Sequence, residues 1–286
     1  MAATPKISFE IFPPKTPQGD AALDATLDQL LPLQPEFLSV TYGADGSGQD
    51  RTLRLVRRLD AAGMPLAAHL TCVGATRGEV DSLARVWRDM GLRRIVALRG
   101  DVPGGGPWQP HEDGYACAAD LVAGLGRIAD FDIAVAAYPE SHPDSPTPDA
   151  DLENLKRKQD AGAGTAITQY CFDTDTILRF RDRAAAAGIT MEIVPGIMPI
   201  ADFGRAAEFS RRCGAGIPDW LPAQFQGLED DPETSAMVAA SIASEQCNAL
   251  IAEGFGQFHF YTLNRAPLSY AVCRRLGVHP AISEAA

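Results

Sequence analysis

RTLRLVRRLDAAGMPLAAHLTC, residues 51–72, holds one complete structural unit. Thr52, Leu55, Val56 and Leu59 recur at the spacing of one helix face, and Gly63 stands where a left-handed residue ends a helix. Leu66–Cys72 then reads as a short apolar strand. The same order returns along the chain. Val80, Leu83, Ala84 and Trp87 form a helix face, Gly91 closes it and RIVALRG (94–100) follows. RFRDRAAAAG (179–188) leads into ITMEIVPG (189–196), and NALIAEG (248–254) into FGQFHFYTL (255–263).

Adding ISFEIF (7–12), FLSVT (37–41), DIAVAAYP (132–139) and TAITQYC (165–171) brings the candidate strands to eight. They are apolar runs without strict alternation, as parallel strands covered on both faces require. Eight strand and helix units in 286 residues predict an α/β fold, a (β/α)8 TIM barrel occupying the whole chain as one domain, 1–286, with flexible tails at 1–5 and 280–286. A doubly wound open sheet is the alternative on pattern alone.

Composition narrows the function classes. The residues are 46% apolar and 22% charged, and no apolar stretch reaches the roughly 18 residues of a membrane span. MAATPKISFE has no apolar region ahead of its first strand, so a cytoplasmic protein is expected. A net charge of −12 argues against nucleic acid or an anionic membrane as partner. The six cysteines form no C-x-x-C pair and no histidine spacing suits a metal, so neither a disulfide framework nor a metal is expected.

A barrel gathers its chemistry at the C-terminal strand ends. Polar residues do collect there: Glu10, Thr41 with Tyr42, His69 with Thr71, Arg99 with Asp101, Tyr138 with Glu140 and His142, Thr168 with Gln169, and Tyr261 with Asn264 and Arg265. The seventh run instead ends in Pro195-Gly196, which suggests close approach of the backbone to something bound. Glu10 is the anomaly among these, a carboxylate within an apolar strand. Burial disfavours its charged form and suits it to donate a proton near neutral pH; a structural pairing with a buried cation is the competing reading.

The segments SFEIFPPKT, FLSVTYGADG, HLTC, IVALRGD, VAAYPESHP, DLENLKRKQDAGA, AITQ, IVPGIMPI and HFYTLNR, in that order, resemble the bacterial 5,10-methylenetetrahydrofolate reductases from about Lys6 to Val278. The resemblance implies a barrel that binds FAD at its strand ends, with NADH or NADPH as reductant and methylenetetrahydrofolate as substrate, assembled as a homo-oligomer. It implies that Glu10 is the general acid. Asp101 would hydrogen-bond the pterin, stabilise a cation on the substrate and tune the flavin. The implied FAD contacts are Thr41, His69, Arg99, Gly100, Asp101, Ala118, Tyr138, His142, Asp151, Asn154, Arg157 and Lys158. Substrate contacts would add Gln169, Arg205, Phe209 and Arg265, the last facing the folate glutamate.

Plainer readings stand beside these. LKRK (155–158) is also what a solvated helix face looks like, and Phe209 what a core aromatic looks like. Gly43-Ala44-Asp45-Gly46-Ser47-Gly48 has the wrong order for a dinucleotide fingerprint and reads as a barrel loop. Two positions depart from the family. Cys117-Ala118 stands where many relatives have Tyr-Ala, with the nearest tyrosine displaced to Tyr115, and Arg205 stands where relatives carry glutamine. The first keeps open a direct hydride transfer from the nicotinamide without flavin, and a barrel that binds folate or flavin without catalysis is a further alternative.

Overall fold

The structure is a computed structural model describing residues 4–42, 48–102, 104–200 and 202–281. Strands and helices alternate: β1 (Lys6–Ile11), α1 (Pro17–Leu30), β2 (Phe37–Val40), α2 (Gly48–Ala61), β3 (Leu66–Thr71), α3 (Arg77–Asp89), β4 (Arg94–Leu98) and α4 (Ala118–Leu125). They continue as β5 (Asp132–Ala137), α5 (Pro148–Asp160), β6 (Thr165–Thr168), α6 (Thr174–Ala186), β7 (Glu192–Val194), β8 (Gly196–Ile197) and α7 (Phe203–Cys213). A short α8 (Leu221–Phe225), the long α9 (Pro232–Ala252), β9 (Gln257–Tyr261) and α10 (Ala266–Arg275) complete the set.

All the strand pairings are parallel, in the order β7-β6-β5-β4-β3-β2-β1-β9-β8. The expected count of eight becomes nine because Pro195 splits the seventh strand. β7 pairs with β6 while β8 pairs with β9, so two outer strands of the sheet are adjacent in sequence and the barrel is nearly closed through one residue. Proline lacks the N–H that would continue a ladder. Its carbonyl still accepts from His259 N at 3.0 Å, and Gly196 N donates to Thr168 Oγ1 at 2.9 Å.

Side-chain alternation divides the core in two. On β1, Ile7, Phe9 and Ile11 are buried with Leu23, Leu27 and Leu30 of α1 in the layer between barrel and helices. Burying each such leucine contributes about 2 kcal/mol. Phe37, Ala67, Val96, Ile167 and Val194, from five different strands, form a second cluster that fills the barrel interior. At the start of α3, Thr76 and Glu79 form a capping box. Gly63 adopts φ +71, the left-handed geometry read from its position.

The loop 43–47 and residues 1–3 and 282–286 of the expected tails lie outside the described residues. Pro5 is buried and Ala281 N donates to the Pro32 carbonyl at 2.8 Å. Among the described residues no helix is long and apolar enough to cross a membrane.

Candidate active site

The C-terminal strand ends open into three cavities that share walls. The inner one, about 250 Å³, is bordered by Glu10, Thr41, His69, Tyr138, Gln169 and Phe209, together with His259 and Tyr261. Seven of the residues singled out in the sequence, Tyr261 among them, thus meet in one place.

Glu10 is set there by the register of β1, where Ser39 and Tyr261 are its neighbours on either side. Its side chain is 23% exposed, and that surface borders the cavity; desolvation raises its pKa to about 8, so the carboxyl is protonated at neutral pH. The group nearest in charge is His69, whose Nε2 lies 3.7 Å from Glu10 Oε2, beyond hydrogen-bonding reach. Burial lowers the His69 pKa to about 4, and its Nε2 has no hydrogen-bond partner among the described residues. Among the described residues Glu10 has no lysine or arginine as ion-pair partner, against the competing reading of the sequence. It is a neutral acid beside a neutral imidazole.

Beneath this layer His259 is fixed from both sides. Its Nδ1 is 2.7 Å from Ser8 Oγ and its Nε2 3.3 Å from Ser39 Oγ, the ring stacks on Phe37, and burial lowers its pKa to about 3. Sequence reasoning passed over His259. The signal was present in QFHFY, where Gln257, His259 and Tyr261 alternate with the fully buried Phe258 and Phe260.

A second cavity of about 310 Å³ adjoins the first at Leu98, Ala136 and Tyr138. Arg99, Gly100, Asp101, Ala118, His142, Asp151, Asn154 and Lys158 border it, which brings together most of the residues expected to hold FAD. Lys158 is buried, and its hydrogen bond among the described residues runs from Nζ to the Ala136 carbonyl at 2.8 Å. Burial lowers its pKa to about 8. A buried ammonium with donors to spare, beside the Arg99 guanidinium, fits the diphosphate of a dinucleotide. Arg99 also pairs with Asp144 at 2.7 Å, a partner that the sequence did not reveal. Asp151 accepts from His142 N and Ser145 Oγ and so shapes the wall. Gly100, at φ +85, has no room for a Cβ, which would lie 2.6 Å from Val73 Cγ1.

Arg157 stands apart: it is exposed, borders none of the three cavities and donates to Asn154 Oδ1 at 3.3 Å. In LKRK, then, the solvated-face reading holds for Arg157 and fails for Lys158. Asp101 is exposed and borders the second cavity, not the inner one that holds Glu10. Tyr115 is buried and donates to Asp81 Oδ1 at 2.6 Å, whereas Cys117 borders the second cavity.

The third and largest cavity, about 640 Å³, meets the inner one at Phe209, Tyr261 and Leu263. Arg205 and Arg265 border it; Arg205 is exposed and its Nε lies 3.4 Å from Asp202 Oδ2. Phe209 stacks on Tyr170 with ring centroids 6.2 Å apart and faces both cavities, so it is not a plain core aromatic.

Two polar residues from the rim prove structural. Glu140 accepts the Gly216 N–H with both oxygens, and Tyr261 donates its hydroxyl to the Thr168 carbonyl at 2.8 Å. The close approach expected at Pro195-Gly196 is to the protein itself. A Cβ on Gly196 would lie 2.2 Å from the Thr168 carbonyl oxygen and 2.5 Å from Tyr261 Cε2.

Comparison with known proteins adds sequence and fold relationships. The family described as methylenetetrahydrofolate reductase matches residues 2–277. The 5,10-methylenetetrahydrofolate reductases of Salmonella typhimurium and Escherichia coli are each 48% identical over 277 residues, covering 96% of this chain and 92% of theirs. Among solved structures, one described as an uncharacterized protein from Clostridium thermocellum that binds two copies of 5-methyl-5,6,7,8-tetrahydrofolic acid has a TM-score of 0.65. It is 17% identical and covers 96% of this chain and 94% of its own, a likeness of fold.

Proposed function

Since the chain belongs to the methylenetetrahydrofolate reductase family, an oxidoreductase family, we propose that it reduces 5,10-methylenetetrahydrofolate to 5-methyltetrahydrofolate, with FAD carrying hydride from NADH or NADPH. The observation that carries the chemistry is the placement of the Glu10 carboxyl, which borders a cavity with no lysine or arginine partner among the described residues and whose pKa desolvation raises.

The substrate holds its one-carbon unit in a five-membered ring between N5 and N10. Glu10 gives its proton to N10, the bond from the bridging carbon to N10 breaks, and an iminium cation forms at N5. Hydride added to the bridging carbon then leaves the methyl group on N5. Bound FAD, once reduced by NADH or NADPH, would supply that hydride. Gln169 Oε1 accepts from Tyr170 N at 3.1 Å, which leaves the two N–H donors of its amide for the pterin edge, and Phe209 offers a face to the aminobenzoate or to nicotinamide. Arg265 pairs with the glutamate carboxylate in the outer cavity. Asp101 lends a negative charge to the cofactor side of the site. Lys158 and Arg99 hold the diphosphate, and the neutral His69, whose buried Nε2 has no hydrogen-bond partner among the described residues, borders the inner cavity.

The test is spectroscopic and uses Glu10→Gln. The purified full chain is expected to carry flavin absorbance that bleaches with NADH or NADPH under anaerobic conditions and returns on adding the folate. Glu10→Gln should keep the first step and lose the second by at least about a hundredfold, the usual scale of general acid catalysis. A colourless preparation that still reduces the folate would replace the flavin route with direct transfer from nicotinamide. Flavin binding without any folate reaction would leave a binding protein only.

A further inference from the structure

Trp108 belongs to none of the assignments above, yet it forms part of the second cavity. It lies on the long connection between β4 and α4, and two contacts fix its ring. Its Nε1 donates to the Ala116 carbonyl at 3.2 Å, and the Arg99 guanidinium carbon lies 5.1 Å from the ring centroid. The indole is half-buried, so it is neither a core residue nor a free surface side chain. Arg99 is held in turn by Asp144, on the connection after β5. Indole and guanidinium thus form a stack on the cavity wall, tied to two separate loops.

Such a stack is a platform for a flat heteroaromatic ring, because both of its members present π faces or planar edges to a base. The neighbouring wall residues, Cys117 and Ala118, offer no ring. Trp108 borders the second cavity alone, whereas Tyr138 borders both the second and the inner one where Glu10 lies. An extended ligand with its reacting ring in the inner cavity and its diphosphate at Lys158 and Arg99 would leave its far end for Trp108.

We propose that Trp108 is a binding residue for the adenine end of the flavin dinucleotide, one that makes the site select FAD over flavins lacking adenosine. The inference rests on the flavin reading above. It gives the loop a purpose in recognition that its glycine-rich sequence does not announce.

The test is equilibrium binding by the full chain, stripped of flavin and titrated with FAD, FMN and riboflavin, for wild type, Trp108→Ala and Trp108→Phe. Loss of one base stack should weaken FAD binding about tenfold or more in Trp108→Ala. FMN and riboflavin affinities should stay within about twofold, and Trp108→Phe should recover most of the FAD affinity. Tryptophan fluorescence quenched by FAD in wild type should be quenched less in both variants. Unchanged FAD affinity in Trp108→Ala overturns the proposal, and so does an equal loss for FAD and FMN, which would mean that the indole acts through Arg99 or the loop. A wild-type chain that takes up no flavin overturns the flavin reading itself, a result distinct from a failure confined to the variants.

Discussion

Glu10 Oε2 and His69 Nε2 lie 3.7 Å apart and do not neutralise one another: burial keeps the proton on the acid and off the imidazole. A charge-separated pair would have left Glu10 ionised and unable to donate. The spacing and the shared desolvation together leave a donor poised above neutrality.

The folate step should therefore be fast at pH 6–7 and fall about tenfold per unit once pH rises through about 8, the pKa of the Glu10 carboxyl. Stopped-flow oxidation of reduced enzyme by the folate, followed from pH 6 to 10, measures it. A plateau extending to pH 10 would remove Glu10 from the donor role.

Stability carries the same signature with a definite sign. The raised pKa means that the folded state holds this proton between about pH 4.5 and 8 while the unfolded chain releases it, so wild type loses stability as pH rises across that window. Glu10→Gln cannot ionise, so its stability relative to wild type should climb by up to about 1.4 kcal/mol per pH unit there. Urea titrations at pH 5 and pH 8.5 provide the comparison.

His259 works in the opposite direction. Its pKa is lowered to about 3, so its contribution is complete above pH 6.5 and drains away as the solution is acidified toward 3. His259→Gln should show a shallower loss of stability between pH 6.5 and 4, with a residual slope from His69, whose pKa is about 4. Acid titration followed by far-ultraviolet circular dichroism reads the difference.

Lys158 must be charged to hold a diphosphate, and its pKa is about 8. FAD affinity should weaken as pH passes from 7 to 9, with proton uptake on binding at the upper end. Lys158→Met should raise the dissociation constant about ten- to a hundredfold, the worth of one charge-assisted hydrogen bond, and flatten the pH dependence. Calorimetry in buffers of different ionisation enthalpy detects both effects.

Gly196→Ala would drive a methyl group into the Thr168 carbonyl oxygen, a backbone atom with little freedom to yield. A destabilisation of about 3 kcal/mol is expected in chemical denaturation, near the upper end for overpacking.

Much of the fold could be read in advance because the helix faces and their terminal glycines are local signals. Gly63 and the run after it behave as 51–72 predicts. The division of the seventh strand could not be read so, since Pro195 ends one ladder and Gly196 begins another only in the presence of β6 and β9. At the site, Glu10 stood out because a charge in an apolar strand violates a local rule. His259 obeyed its rule, alternating quietly with phenylalanines. Trp108 and Asp144 gain meaning only through Arg99, which links loops separated by a strand and a helix. Arg157 and Lys158 are adjacent in sequence, and the turn of α5 alone decides that one is buried and the other meets water.

The single residue between β7 and β8 gives the barrel a hinge pin in its hoop. Every other neighbouring pair of strands is joined by a run of hydrogen bonds that must break in sequence, whereas here the circumference can widen by rotation about a few backbone angles. Among the buried strand amides deuterium should enter first at this seam, and breathing there would reach the inner cavity directly, because Thr168 and Tyr261 brace the seam and Tyr261 is also a wall of the chamber.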